Sequence, residues 1–197
     1  GRNGAGKTTT LRTIMGLWKA SGGTITFREN SIAQRSTSEI SRLGIAYVPE
    51  NMGIFPDLTV KENMLLAARG AAKVKDIDQA RLEWIFSLFP AVHRFWNKPA
   101  GKLSGGQKQM VAVARAIVEP RDLLLIDEPS KGLAPAIINN MADALMQLKA
   151  KGVSILLVEQ NLNFARRLGD NVAILDGGKI VHASPSDEWF AREDLQQ

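Results

Sequence analysis

Apolar residues in this chain fall into two rhythms, short continuous runs and stripes spaced three to four residues apart. The runs predict a short strand at residues 24–27, buried strands at 44–48, stopped by Pro49, and at 122–126, and a further strand at 153–158. The stripes predict helices. Leu11, Ile14 and Met15 share one face of a helix running from Thr8 to about Leu17. Residues 28–42 read as a connector with a short helix. Thr59-Val60-Lys61-Glu62 is a capping box opening a helix that reaches about Arg69, because each side chain can bond the other's backbone N–H. Ile77, Ala80, Trp84, Ile85 and Leu88 form a further stripe, which Pro90 ends. Helices at 106–118 and 135–150 follow, the second closed by Gly152. Residues 172–182 read as a hairpin with Gly177-Gly178 at its turn.

Strands alternating with helices imply an α/β domain with a parallel sheet covered on both faces. The helical stretch at about 51–102 reads as a lobe inserted between strands of one domain.

Composition narrows the classes. The chain has 197 residues, enough for one core, and no cysteine, which excludes a disulfide framework and thiolate metal sites. No apolar run approaches the roughly 20 residues needed to cross a bilayer. The net charge is +5 and the pI near 9.6, but the cations are scattered among acids. With a single Tyr and no aromatic-basic interleaving, a nucleic-acid platform is disfavoured.

The chemistry begins at Gly1-Arg2-Asn3-Gly4-Ala5-Gly6-Lys7-Thr8, a complete G-x-x-x-x-G-K-T phosphate cradle. Its glycines let backbone N–H groups approach phosphate oxygens, and a following helix N-terminus favours negative charge. Gly1, Asn3, Gly4, Ala5, Gly6, Lys7, Thr8 and Thr9 are the candidate ATP contacts. Lys7 would reach the β- and γ-phosphates, and the Thr8 hydroxyl would ligate Mg²⁺. The strand that normally enters such a loop is absent before Gly1. On that ground the 197-residue chain, expressed alone, is expected to be unstable and to bind ATP weakly.

Leu123-Leu124-Leu125-Ile126-Asp127-Glu128 supplies the complement, a buried strand that ends in acids at the sheet's carboxyl edge. Asp127 is placed to hold Mg²⁺, and Glu128 to polarise a water against the γ-phosphate. Between the two motifs lies Leu103-Ser104-Gly105-Gly106-Gln107. There Ser104 can cap a helix and two glycines allow close approach to an anion.

These three motifs together resemble the ABC ATPases, and the resemblance spans essentially the whole chain. It implies a P-loop NTPase three-layer sandwich of the ABC type with an inserted helical lobe, lacking its N-terminal strands. It also implies ATP and Mg²⁺ as ligands and a head-to-tail dimer with a second ATPase subunit, identical or paralogous. In that dimer Ser104, Gly105, Gly106 and Gln107 would act on ATP held by the other subunit. Within the family, three segments resemble the second ATPase of branched-chain amino-acid importers: residues 46–50 with 55–60, residues 127–135, and residues 158–161. That likeness implies transmembrane permease partners, a peripheral place on the cytoplasmic face of the cell membrane, and no nucleic acid. Related urea or amide importers look similar.

The chain departs from the general ABC pattern at three places. Glu50 stands where most members carry a glutamine; it remains a candidate ATP contact and Mg²⁺ ligand, and makes the site more anionic. Gln160 stands at the switch histidine and can donate a hydrogen bond but carry no proton, which leaves Glu128 as the general base. Ser130-Lys131-Gly132-Leu133 runs into Ala134, replacing the usual aspartate between the two sites.

The remaining prominent residues carry less. His93 and His182 are isolated, Trp84 and Trp96 suit the lobe core, and Arg115 suits packing or an ion pair. The loop Asn51-Met52-Gly53-Ile54-Phe55 reads either as a docking site for a membrane subunit or as a plain loop packed into the lobe. The leading function is an importer-energising ATPase. The alternatives are a soluble ABC ATPase acting on nucleic acid or ribosomes, and a non-catalytic nucleotide-gated clamp, which the presence of Glu128 disfavours.

Overall fold

The computed structural model describes residues 4–191. Helix α1 (Lys7–Ile14) follows the phosphate loop directly. A small hairpin, β1 (Thr26–Phe27) and β2 (Asn30–Ser31), turns through Arg28 and Glu29, both at positive φ, as the tightest hairpin turns require. This hairpin occupies part of the expected connector. Helix α2 (Thr37–Arg42) starts at a complete Ser36–Glu39 capping box and leads into β3 (Ile45–Val48).

The lobe then comprises α3 (Val60–Ala67), α4 (Gln79–Leu88) and α5 (Pro90–Arg94). The Thr59–Glu62 capping box is formed. Pro90 does more than stop α4: it is the first residue of α5, where a missing N–H costs nothing. Next come α6 (Gly105–Ala116), β4 (Leu123–Asp127), α7 (Pro135–Ala150) and β5 (Ser154–Val158). The chain closes with α8 (Leu162–Leu168), the hairpin β6 (Asn171–Asp176) and β7 (Lys179–Pro185), and α9 (Ser186–Ala191).

The principal sheet is parallel, in the order β3-β4-β5. Successive residues of β4 point to opposite faces. Leu124 and Ile126 enter a large apolar cluster with α6 and α7, while Leu125 enters a smaller one with Leu11, Ile32, Ile40 and Ile45. That is the three-layer arrangement. The larger cluster runs without a break from the sheet into the lobe, through Val111 and Val113 to Val60, Met64, Ile85 and Val92. Truncating a residue as buried as Leu125 to Ala is expected to cost about 2–5 kcal/mol.

Coverage on both faces holds for β3 and β4 but not for β5. Ser154 and Leu156 are exposed, the latter 40%. They lie in register with Leu123 and Leu125, on the face where α1 packs against β4.

The register decides where the chemistry lies. Val48 stands opposite Ile126, and Asp127 opposite Val158. The residues that follow each strand, Glu50, Glu128 and Glu159-Gln160, therefore emerge along one carboxyl edge.

Candidate functional site

The phosphate loop is held against the β6–β7 hairpin. Gly4 and Gly6 sit at φ 78 and 99, backbone that disfavours any residue with a Cβ. Gly6 precedes α1 with no capping side chain, so the first-turn amides are left for an external acceptor. The Ala5 carbonyl accepts a hydrogen bond from the Gly178 N–H at 3.0 Å, which pins the loop to the turn of the β6–β7 hairpin. Thr9 lies exposed on the first turn of α1. Gly1 and Asn3 lie outside the described residues.

At the end of β4, Asp127 is fully buried, and its Oδ1 has no hydrogen-bond partner among the described residues. Its Oδ2 accepts a long hydrogen bond from the Tyr47 hydroxyl at 3.4 Å. Burial pushes the Asp127 carboxyl above its ordinary range against the pull of the Thr8 and Tyr47 hydroxyls, and the charges of Glu128 and Glu50 add to the rise. An orphaned carboxylate oxygen beside a threonine hydroxyl is a donor set that fits a hard divalent cation. The residues present therefore suit Mg²⁺.

Glu128 follows with φ 47, in the left-handed region that a non-glycine residue enters at a cost. Its N–H donates to the Val158 carbonyl at 2.9 Å, and its carbonyl accepts from the Lys131 N–H at 3.2 Å. The strained turn aims its carboxylate into the site. Gln160 Nε2 donates to Glu128 Oε1 at 2.7 Å, and Lys7 Nζ lies 3.9 Å from the same oxygen. Lys131 Nζ lies 3.7 Å from Glu128 Oε2 and 2.5 Å from Glu50 Oε1. Glu50, expected as a ligand, is thus an ion-pair partner here.

The structure brings together Lys7, Thr8, Asp127, Glu128, Gln160 and Glu50. The signature segment is self-contained. Ser104 Oγ accepts from the Gln107 N–H, and Gln107 Oε1 accepts from the Ser104 N–H, a closed capping box. Its two glycines differ. A Cβ on Gly106 would stand 2.6 Å from Cγ2 of Ile137, so close packing against α7 accounts for this glycine. A Cβ on Gly105 would meet nothing within 4 Å, and its backbone has no positive φ.

Two contributors were missed by sequence reasoning. Glu159 Oε1 accepts from the Ser130 N–H, and its Oε2 from the Gln160 and Asn161 N–H groups. It therefore fixes the turn after β4 and the switch position together; an acid directly after an apolar strand was the available signal. Tyr47 reaches Asp127 from the neighbouring strand, which nothing in the spacing reveals. His93 and His182 belong to no cluster of metal-ligating side chains among the described residues. No helix there is long and apolar enough to cross a membrane.

Residues 1–131 match the family described as ABC transporter. The chain belongs to that family. This ABC ATPase is 42% identical over 181 residues to a high-affinity branched-chain amino acid transport ATP-binding protein of Pseudomonas aeruginosa, covering 92% of this chain and 77% of the relative. It is 34% identical over 200 residues to a probable branched-chain amino acid transport ATP-binding protein of Archaeoglobus fulgidus, covering 100% and 83%. Among solved structures, a bacterial ABC transporter cassette determined as a dimer superposes with a TM-score of 0.82 at 26% identity, covering 94% of this chain and 82% of that one. As an ABC ATPase, the chain binds and hydrolyses ATP. The nucleic-acid alternative gains no support from these likenesses.

Proposed function

We propose that this ABC ATPase energises a membrane importer of branched-chain amino acids or related amides, as a peripheral subunit on the cytoplasmic face. The observation that carries the reading is the meeting of Lys7, Asp127, Glu128 and Gln160 at one sheet edge, in a chain whose relatives are named for branched-chain amino acid transport.

Gly1, Asn3, Gly4, Ala5, Gly6, Lys7, Thr8 and Thr9 bind the triphosphate. Thr8 and Asp127 hold Mg²⁺, with Glu50 at the rim. When bound, the metal neutralises charge on the β- and γ-phosphates. Glu128 accepts a proton from the water whose oxygen bonds to the γ-phosphorus, as the bond to the β-phosphate oxygen breaks and leaves ADP and phosphate. Gln160 holds Glu128 by a hydrogen bond and can donate to the γ-phosphate, but it carries no proton itself.

Ser104, Gly105, Gly106 and Gln107 close over ATP gripped by the phosphate loop of a second ATPase subunit. Support comes from Gly105, which this chain's own packing does not require. A permease docks at the 51–55 loop. Phe55 is 47% exposed there, while Asn63, fully buried, holds its backbone from both N–H and carbonyl. Arg115 donates to the Gly53 carbonyl at 2.7 Å and lies over the Phe55 ring.

The chain has no cysteine, so a Ser104→Cys, Thr9→Cys pair is unique in it. Cross-linking between subunits that requires ATP, in a Glu128→Gln background, is the expected result. Cross-linking indifferent to nucleotide would remove the head-to-tail arrangement. Leucine uptake by membrane vesicles carrying the full transporter tests the cargo.

A further inference from the structure

The turn after β4 carries a cation that the chemistry above does not use. Lys131 Nζ lies 2.5 Å from Glu50 and 3.7 Å from Glu128, bridging the carboxyl edges of β3 and β4. Its backbone is fixed: the Lys131 N–H donates to Glu128, and the preceding Ser130 N–H is held by Glu159. Among the described residues, Glu50 and Glu128 share the ammonium groups of Lys7 and Lys131, while buried Asp127 lies beside them with Arg12 reaching Tyr47. A triphosphate adds further negative charge. With Lys131 removed, Glu50 would lose its ion-pair partner and face the incoming nucleotide as an uncompensated charge.

We infer that Lys131 is a positioning residue of the ATP site: its ammonium neutralises the carboxylate that Glu50 contributes and so sets the balance between nucleotide and metal affinity. The inference rests on the ATP site described above. Lys131 Nζ stands where it attracts polyphosphate and competes with a divalent cation for Glu50 and Glu128. Removing it weakens binding of metal-free ATP and spares or strengthens metal-assisted binding. Removing the charge of Glu50 does the opposite. Hydrogen bonding and charge from Glu50 raise the Lys131 pKa, so the ammonium persists throughout the neutral range. As an exposed pair, Lys131 and Glu50 contribute little to stability, and the effect belongs to binding.

The test is titration of the full chain with a fluorescent ATP analogue, once in EDTA and once in excess MgCl₂. The proteins are wild type, Lys131→Met, Lys131→Arg, Glu50→Gln and the Glu50→Gln, Lys131→Met double variant. In EDTA, Lys131→Met is expected to weaken binding about three- to tenfold, as loss of one partly screened unit charge implies. Glu50→Gln tightens it, the double variant returns within about twofold of wild type, and Lys131→Arg stays near wild type. In MgCl₂ the Lys131→Met deficit shrinks. Melting temperatures without nucleotide show that every variant folds. A Lys131→Met loss that Glu50→Gln leaves in place overturns the coupling, and unchanged EDTA affinity overturns the inference outright. A wild-type chain that melts cooperatively yet binds no analogue at any concentration sinks the ATP-site reading and this inference with it.

Discussion

The signature turn and the end of β4 solve opposite problems. At Ser104–Gln107, each polar group of the cap finds its partner within the same turn. At Asp127–Glu128, one acid is buried with an orphaned oxygen, and its neighbour sits in strained backbone. The first is a finished surface that waits for something to approach. The second is an unfinished interior that a ligand completes. Stability and function should therefore respond together at the Ser104 cap, and in opposition at the strand end and at Gly105, which the turn's own packing does not require.

The largest separation is expected at Glu128. Glu128→Gln should lower ATP turnover about 10²- to 10⁴-fold while nucleotide stays bound, measured as phosphate release beside filter retention of ATP. Turnover that survives unchanged would remove Glu128 as the base. Asp127 comes next. Asp127→Asn should abolish the Mg²⁺ dependence of binding yet raise the melting temperature of the ligand-free chain by about 2–4 °C, as relief of about 1 kcal/mol implies. A fall in melting temperature would show that the buried carboxylate is not a burden.

That gain should depend on pH. The raised Asp127 pKa means that the folded state binds a proton more readily than the unfolded chain, so the penalty is full above the folded pKa. As pH falls through the raised value toward the ordinary 3.8, the penalty is relieved, and the advantage of Asp127→Asn should narrow. Glu39 and Glu62 act the other way. Their capping hydrogen bonds, chiefly to Ser36 and Thr59, lower their pKa values, so their stabilisation is present at neutral pH and lost as pH falls through those values.

The smallest effects lie in the signature turn. Ser104→Ala should lose about 1 kcal/mol, or about 2–4 °C, through the broken cap. Gly105→Ala should gain up to about 1 kcal/mol in a helix's first turn, with space around the new methyl, and still slow turnover of the assembled dimer. Equal behaviour of the two variants in a thermal melt would erase the contrast.

Much of this was legible from local chemistry. The order of the parallel strands and their helices, α7 to the residue, the Thr59 cap and the β6–β7 hairpin turn all follow from patterns a few residues long. Helices α5, α8 and α9 are too short to show a stripe and were not expected. The acids at the end of β4 were equally plain, because an apolar run ending in charge has one natural place in a parallel sheet. What escaped depends on neighbours far apart in the chain. Tyr47 and Asp127 are 80 residues apart, and Lys131 and Glu50 are 81 apart. The close approach of Gly106 to Ile137 is likewise something only the packing of α6 on α7 reveals. The α2 cap at Ser36 was hidden by its polar surroundings, although Glu39 stands at the required spacing.

The single amide of Gly178 has a use beyond architecture. Because its hydrogen closes on the carbonyl of Ala5, its rate of exchange with deuterated solvent reads the seating of the phosphate loop directly. A reporter on the loop that needs no added side chain or dye is thus wired into the backbone, on a hairpin that itself carries none of the ATP chemistry.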